Sequence, residues 1–172
     1  VSKLDTSSVT NMGGMFATCT GLKTLNLNGS DKEFNTSNVT NMRAMFSGCS
    51  SLTELDVTGF DTGNVTDMSN MFVGCSNLTT LDASDWDTSN VTNMSYMFNA
   101  CSNLQTIDVS NWDTKNVTNM GSMFNSCIKL TTLDVNKWNT SKVTNMTYMF
   151  KSCHNLTTLD LSNFDTSSVV NM

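Results

Sequence analysis

The chain has 172 residues and a formal net charge of −6, and only 14% of its residues are charged. That balance excludes a basic nucleic-acid surface, and no apolar run approaches the ~20 residues that a bilayer-spanning helix needs. Ser, Thr and Asn make up about two-fifths of the chain, and Leu, Ile, Val and Phe about a fifth, which is close to the composition of a disordered tract.

The spacing of the residues argues for an ordered chain. Asn-Val-Thr-Asn-Met or a near variant recurs throughout, with its valine at Val9, Val39, Val65, Val91, Val117, Val143 and Val169. The steps are 30 residues and then 26, five times over. Before the first valine, Leu4 takes the register that aromatic rings fill in later units, and Val1–Asp5 has no apolar stretch of the kind a secretory leader carries.

Counting each valine as zero, the first unit then places Met12, Met15, Phe16, Cys19 and Leu22 at +3, +6, +7, +10 and +13. These offsets mark one face of a short helix, because 3.6 residues per turn bring i, i+3, i+4 and i+7 together. Leu25 and Leu27 follow in strand-like alternation. Four extra residues, 30–33, account for the longer first step and predict a loop insertion ahead of the ring Phe34.

Every later unit repeats the order. The fourth, for example, offers Thr92 and Asn93 as N-caps for a helix through Met94, Met97, Phe98, Cys101 and Leu104, then Ile107-Asp108-Val109 as strand, then Trp112. The segment from Trp112 to Val117 has turn chemistry, with Asp and Thr able to bond nearby backbone. All 13 methionines and all six cysteines fall on these registers. The absence of proline suits coils whose backbone donors serve their neighbours. The predicted fold is therefore an α/β repeat solenoid, leucine-rich-repeat-like, with a parallel sheet on one face and short helices on the other. About 6.6 units over residues 1–172 would stack at ~4.8 Å per strand into one rod, read as part of a longer array.

Leu130-Thr131-Thr132-Leu133-Asp134-Val135 has the L-x-x-L-x-L form of leucine-rich repeats. The longer stretch 107–127, from Ile107-Asp108-Val109-Ser110-Asn111-Trp112 through Asn116-Val117-Thr118-Asn119-Met120 to Cys127, resembles the BspA-like leucine-rich-repeat surface proteins of bacteria, also met as mycoplasma-type lipoprotein repeats. The resemblance implies an extracellular, cell-surface protein that adheres to host or neighbouring cells through surface or matrix proteins. It implies no particular ligand, and the charge balance and the lack of a long apolar run speak against a nucleic-acid partner and against insertion of this segment into a membrane.

Alternation turns a polar row outward from the predicted sheet: Asp56, Asp82, Asp108, Asp134 and Asp160, flanked by Thr80, Thr106, Thr132 and Thr158. This face is the candidate binding surface. Neighbouring carboxylates ~4.8 Å apart repel by roughly 0.9 kcal/mol per pair in water, so the row is a candidate seat for Ca2+ or for basic partner groups; a solvated ladder offset by neighbouring hydroxyls is the alternative. The Asp61, Asp87, Asp113 and Asp165 series is explained by Asx-turns. The cysteines lack C-x₂₋₄-C pairing and share an apolar register, so they are read as buried free thiols. The Trp86, Trp112, Trp138 series is read as a packed spine rather than a carbohydrate-stacking strip. A lattice binder is the alternative function, with Thr10, Thr40, Thr66, Thr92, Thr118 and Thr144 forming a further rank that would order ice or a similar surface. Catalysis is not expected, because nearly identical units offer no unique nucleophile, base and orienting group.

Overall fold

The structure is a computed structural model that describes residues 4–27 and 34–172. The predicted insertion 30–33, together with Val1 and Asn28, lies outside the described residues.

Among those residues there is no helix, and the strands are four: β1 (Thr24–Asn26), β2 (Glu54–Asp56), β3 (Thr80–Leu81) and β4 (Thr106–Ile107). They form two separate two-stranded parallel sheets, β1 with β2 and β3 with β4. The expected α/β leucine-rich-repeat-like solenoid, with helices opposite one continuous sheet, is therefore corrected.

The physical reason lies between +3 and +10, where a helix would need every N–H for its own i−4 carbonyl. Here alternate donors leave the segment. Met42, Ala44, Phe46 and Gly48 donate to the carbonyls of Asp67, Ser69, Met71 and Val73, one repeat further on, at 2.6–3.0 Å. The donors between them close tight turns three residues back, Met45 to Met42, Ser47 to Ala44 and Cys49 to Phe46, at 3.1–3.2 Å. Position +5 has φ of 56–68° at Gly14, Ala44, Asn70, Tyr96, Ser122 and Tyr148, and the left-handed region recurs at +9 in Thr18, Gly48, Gly74, Ala100, Ser126 and Ser152. Two left-handed residues per unit cannot sit inside a right-handed helix. The Asn or Asp at +2 does not cap one either; its Oδ1 accepts the N–H two residues on, as in Asn41 to Arg43 at 2.8 Å and Asn93 to Ser95 at 3.1 Å.

Successive units pair in register. Asn11, Asn41, Asp67, Asn93, Asn119, Asn145 and Asn171 form one unbroken series of parallel bridges. Beside it, Thr40, Thr66, Thr92, Thr118 and Thr144 each donate a backbone N–H to the equivalent Thr of the preceding unit, at 2.8–2.9 Å.

The predicted apolar registers form the core. Val, Met, Phe, Cys and Leu of the middle units are buried, and Met15 and Leu161 in the outer units are exposed. Phe16, Phe46, Phe72, Phe98 and Phe124 stack with centroids 5.4–5.5 Å apart, and Trp86, Trp112 and Trp138 at 6.2–6.3 Å, within the range where offset rings attract. Each indole N–H donates to a carbonyl of the preceding unit: Trp86 to Val57, Trp112 to Ala83 and Trp138 to Val109, at 3.0–3.3 Å. The tryptophans are a packed spine, which leaves no stacking strip for sugars at that register.

Candidate functional site

All nine candidate residues are exposed and line two shallow hollows. One, of about 450 Å³, is bordered by Asp56, Thr80 and Asp82 with Thr24, Asn26 and Glu54. The other, of about 500 Å³, is bordered by Thr106, Asp108, Thr132, Asp134, Thr158 and Asp160. The in-register pairing of β1 with β2 sets Asn26 beside Asp56 and Thr24 beside Glu54, and β3 with β4 sets Thr80 beside Thr106. The hollows divide the row between Asp82 and Thr106, whereas the sheet breaks one unit earlier, between β2 and β3.

Each carboxylate is held by its own turn. Oδ1 of Asp56 accepts from the N–H and hydroxyl of Thr58 at 3.1 and 2.7 Å, and Asp82 and Asp108 accept likewise from Ser84 and Ser110. Asp134 and Asp160 accept the backbone N–H of Asn136 and Ser162 at 3.1 and 2.9 Å. The backbone N–H of Ser110, then its hydroxyl, lowers the Asp108 carboxyl below the usual aspartate range, and Ser162 does the same to Asp160. For Asp82, Asp108, Asp134 and Asp160, Oδ2 accepts no bond from the described residues, so the face presents carboxylate oxygens held at Oδ1 beside threonine hydroxyls. Among the described residues no three acidic, His or Cys side chains converge, so the candidate calcium seat on this row has no ligand cluster there.

The second acidic series does form Asx-turns. Asp61, Asp87, Asp113 and Asp165 accept the N–H of Gly63, Ser89, Lys115 and Ser167 at 2.9–3.2 Å. The six cysteines are free, and Cys49, Cys75, Cys101 and Cys127 are buried. From Cys49 to Cys153, each sulfur donates to the Phe carbonyl of the preceding unit at 3.1–3.2 Å. Burial pushes the Cys75 thiol up to about 12 and raises Cys101 and Cys127 strongly. His154 is exposed.

Sequence reasoning missed the buried threonines Thr6, Thr36, Thr62, Thr88, Thr114 and Thr140, all 1–3% exposed. Their hydroxyls clamp one unit to the next: Oγ1 of Thr36 donates to the Asp61 carbonyl at 2.9 Å and accepts the Asp61 N–H at 2.7 Å, and Thr140 holds Asp165 in the same way. The available signal was an Asp-Thr or Asn-Thr dipeptide ahead of every valine. The Asn before the valine was missed too; Nδ2 of Asn38, Asn64, Asn90 and Asn116 donates to the preceding unit's backbone at 2.7–2.8 Å.

No curated protein and no solved structure matches the chain. One family does, over residues 1–82 and again over 74–172, so that the two matches span the whole repeat array. With its units in register and its whole length matched, the chain belongs to the family described as Mycoplasma protein of unknown function, DUF285.

Proposed function

We propose that this chain is a non-catalytic adhesion module that works at a cell surface and holds a host or neighbouring-cell surface or matrix protein against its Thr-Asp face. The observation that carries the reading is the gathering of all nine candidate residues around two exposed hollows, with each Asp Oδ1 tied to its own turn. Fixed carboxylates complement basic partner groups and steer encounter, and side chains held by the fold lose little freedom on binding. Repetition of the same group along the chain suits multivalent contact, in which weak sites combine. The resemblance to BspA-like surface proteins supports the surface setting, and the near-identity of the units supports a binding rather than a catalytic role.

The test is retention of the chain on immobilised matrix preparations and intact cells, with and without calcium. The reading expects retention that salt weakens and that Asp82→Asn with Asp108→Asn and Asp134→Asn reduces at least fivefold. No retention on any surface, or retention that these substitutions leave unchanged, contradicts it.

A second reading, an ice or regular-lattice binder, is favoured by one observation. The exposed hydroxyls of Thr40, Thr66, Thr92, Thr118 and Thr144 are all fixed alike, each donating to the preceding unit's Thr carbonyl at 3.1–3.2 Å. Thermal hysteresis is its assay, and freezing behaviour equal to that of a control protein removes it.

A further inference from the structure

Charge is segregated along the chain. Residues 44–114 hold nine carboxylates and no Lys, Arg or His, whereas residues 115–154 hold five lysines against one aspartate, Asp134, so the surface changes sign midway along the array. All five lysines are exposed.

One edge carries this reversal in a single file, at the turn between each ring and the next valine. Asp61 and Asp87 flank Gly63, where an added methyl group would meet Asp61 Oδ1 and Asp87 Oδ2, each at 3.5 Å. Lys115 Nζ bonds Asp113 Oδ2 at 2.7 Å and lies within electrostatic reach of Asp87. Lys142 Nζ reaches back one unit to Asn116 Oδ1, next to Lys115, at 2.7 Å. From the second unit to the fifth, the file therefore reads Asp61, Asp87, Lys115, Lys142: two negative groups, then two positive. The register that supplies Asp61, Asp87 and Asp113 carries the neutral Asn139 in the lysine half. Asp61 and Asp87 are held by the N–H groups of Gly63 and Ser89, so the acidic half is fixed before any partner arrives.

A partner of one sign meets repulsion over half of such an edge. The matching surface has the same order of signs reversed, and this edge turned end for end is that surface. We infer that two copies of this chain pair edge to edge and antiparallel, about a two-fold axis between the third and fourth units. Asp87 then faces the partner's Lys115 and Asp61 faces the partner's Lys142, and symmetry repeats both pairs. The 26-residue step is unbroken from Val39 to Val143, so both pairings hold in one register. Lys115 keeps two N–H donors beyond its bond to Asp113. Exposed ion pairs contribute little each, so the association is weak, reversible and sensitive to salt. It uses none of the nine Thr-Asp residues and does not rest on the adhesion reading.

The experiment is sedimentation equilibrium of the whole chain at high protein concentration, in about 20 mM and about 300 mM salt. Wild type is expected to dimerise at low salt, with a dissociation constant at least about tenfold higher at high salt. Two variants of identical composition test the register. Asp87→Lys with Lys115→Asp exchanges facing partners and is expected to dimerise like wild type. Asp87→Lys with Lys142→Asp sets like charge on like charge at every pair and is expected to be monomeric. Asp61→Asn with Asp87→Asn keeps both turn-closing acceptors, so it tests the acidic half in a folded chain even if an exchanged variant does not fold; it is expected to weaken dimerisation at least about tenfold. Asp82→Asn with Asp108→Asn is expected not to weaken it, which separates this edge from the Thr-Asp face. The proposal is overturned if wild type stays monomeric at low salt, if the two exchanged variants behave alike, or if Asp61→Asn with Asp87→Asn dimerises as wild type does.

Discussion

Replacing Thr36 with valine keeps the side chain's shape and removes its hydroxyl, which isolates the clamp between units. Thr36 is 1% exposed, and its Oγ1 both donates to the Asp61 carbonyl at 2.9 Å and accepts the Asp61 N–H at 2.7 Å. Each bond contributes about 1 kcal/mol net, and leaving the part-buried Asp61 backbone groups unsatisfied adds a desolvation penalty of up to similar size. Together Thr36→Val is expected to destabilise by about 2–4 kcal/mol. For a chain of this length that is a fall of about 5–12 °C in melting temperature. Thr40 provides the control: it is exposed and makes one hydroxyl donation, to the Thr10 carbonyl at 3.2 Å. Water replaces that partner, so Thr40→Val should stay within about 0.5 kcal/mol. Thermal and urea unfolding followed by circular dichroism measure both, with Thr36→Ser restoring most of the loss. Equal effects of the two valine substitutions, or none from Thr36→Val, would refute the assignment of Thr36 as a structural clamp.

Three further outcomes follow from the packing and the titrating groups. Trp112→Ala removes a buried ring stacked at 6.2 and 6.3 Å on its neighbours together with the N–H bond to Ala83, and should cost about 3–5 kcal/mol in urea unfolding. Burial raises the Cys75 thiol to about 12, so its contribution to stability is full below about 9 and is lost as pH rises through 12; at pH 8 a thiol reagent should modify exposed Cys19 at once and Cys75, Cys101 and Cys127 only as the chain unfolds. The carboxyls of Asp87, Asp108 and Asp160 are lowered by the Ser89 hydroxyl and by the Ser110 and Ser162 backbone, so the stability they contribute is present above about 4 and lost as pH falls through their depressed values; Asp87→Asn, Asp108→Asn and Asp160→Asn together should flatten the acid limb of a stability-versus-pH curve.

The core was legible in the sequence and the backbone that builds it was not, for one physical reason. Met94, Met97, Phe98 and Cys101 share a side whether their segment coils as a helix or as consecutive three-residue turns, so apolar spacing places them inside either way. What separates the two is the destination of the alternate N–H groups and the left-handed backbone at Tyr96 and Ala100, and neither leaves an apolar trace. Weaker signs were present: Gly14, Gly48, Gly74 and Asn70 stand at left-handed positions, and Ser and Asn favour turns over helix interiors. The exposure of the Asp row was legible because alternation is local, although of its five members only Asp56 lies in a strand. The Thr36 and Thr140 clamps were not, because threonine serves equally in sheet, turn and solvent, and only the neighbouring unit makes its burial visible.

The central claim is that the segment after each valine shares its backbone donors alternately between its own turn and the adjoining unit. Through-hydrogen-bond scalar couplings measured by NMR on uniformly labelled protein test it directly. The account predicts coupling from the Phe98 amide nitrogen to the Met123 carbonyl carbon and from Tyr96 to Gly121, across contacts of 2.9 and 2.8 Å. Coupling from Phe98 to the Met94 carbonyl, the helical i−4 partner, would contradict it.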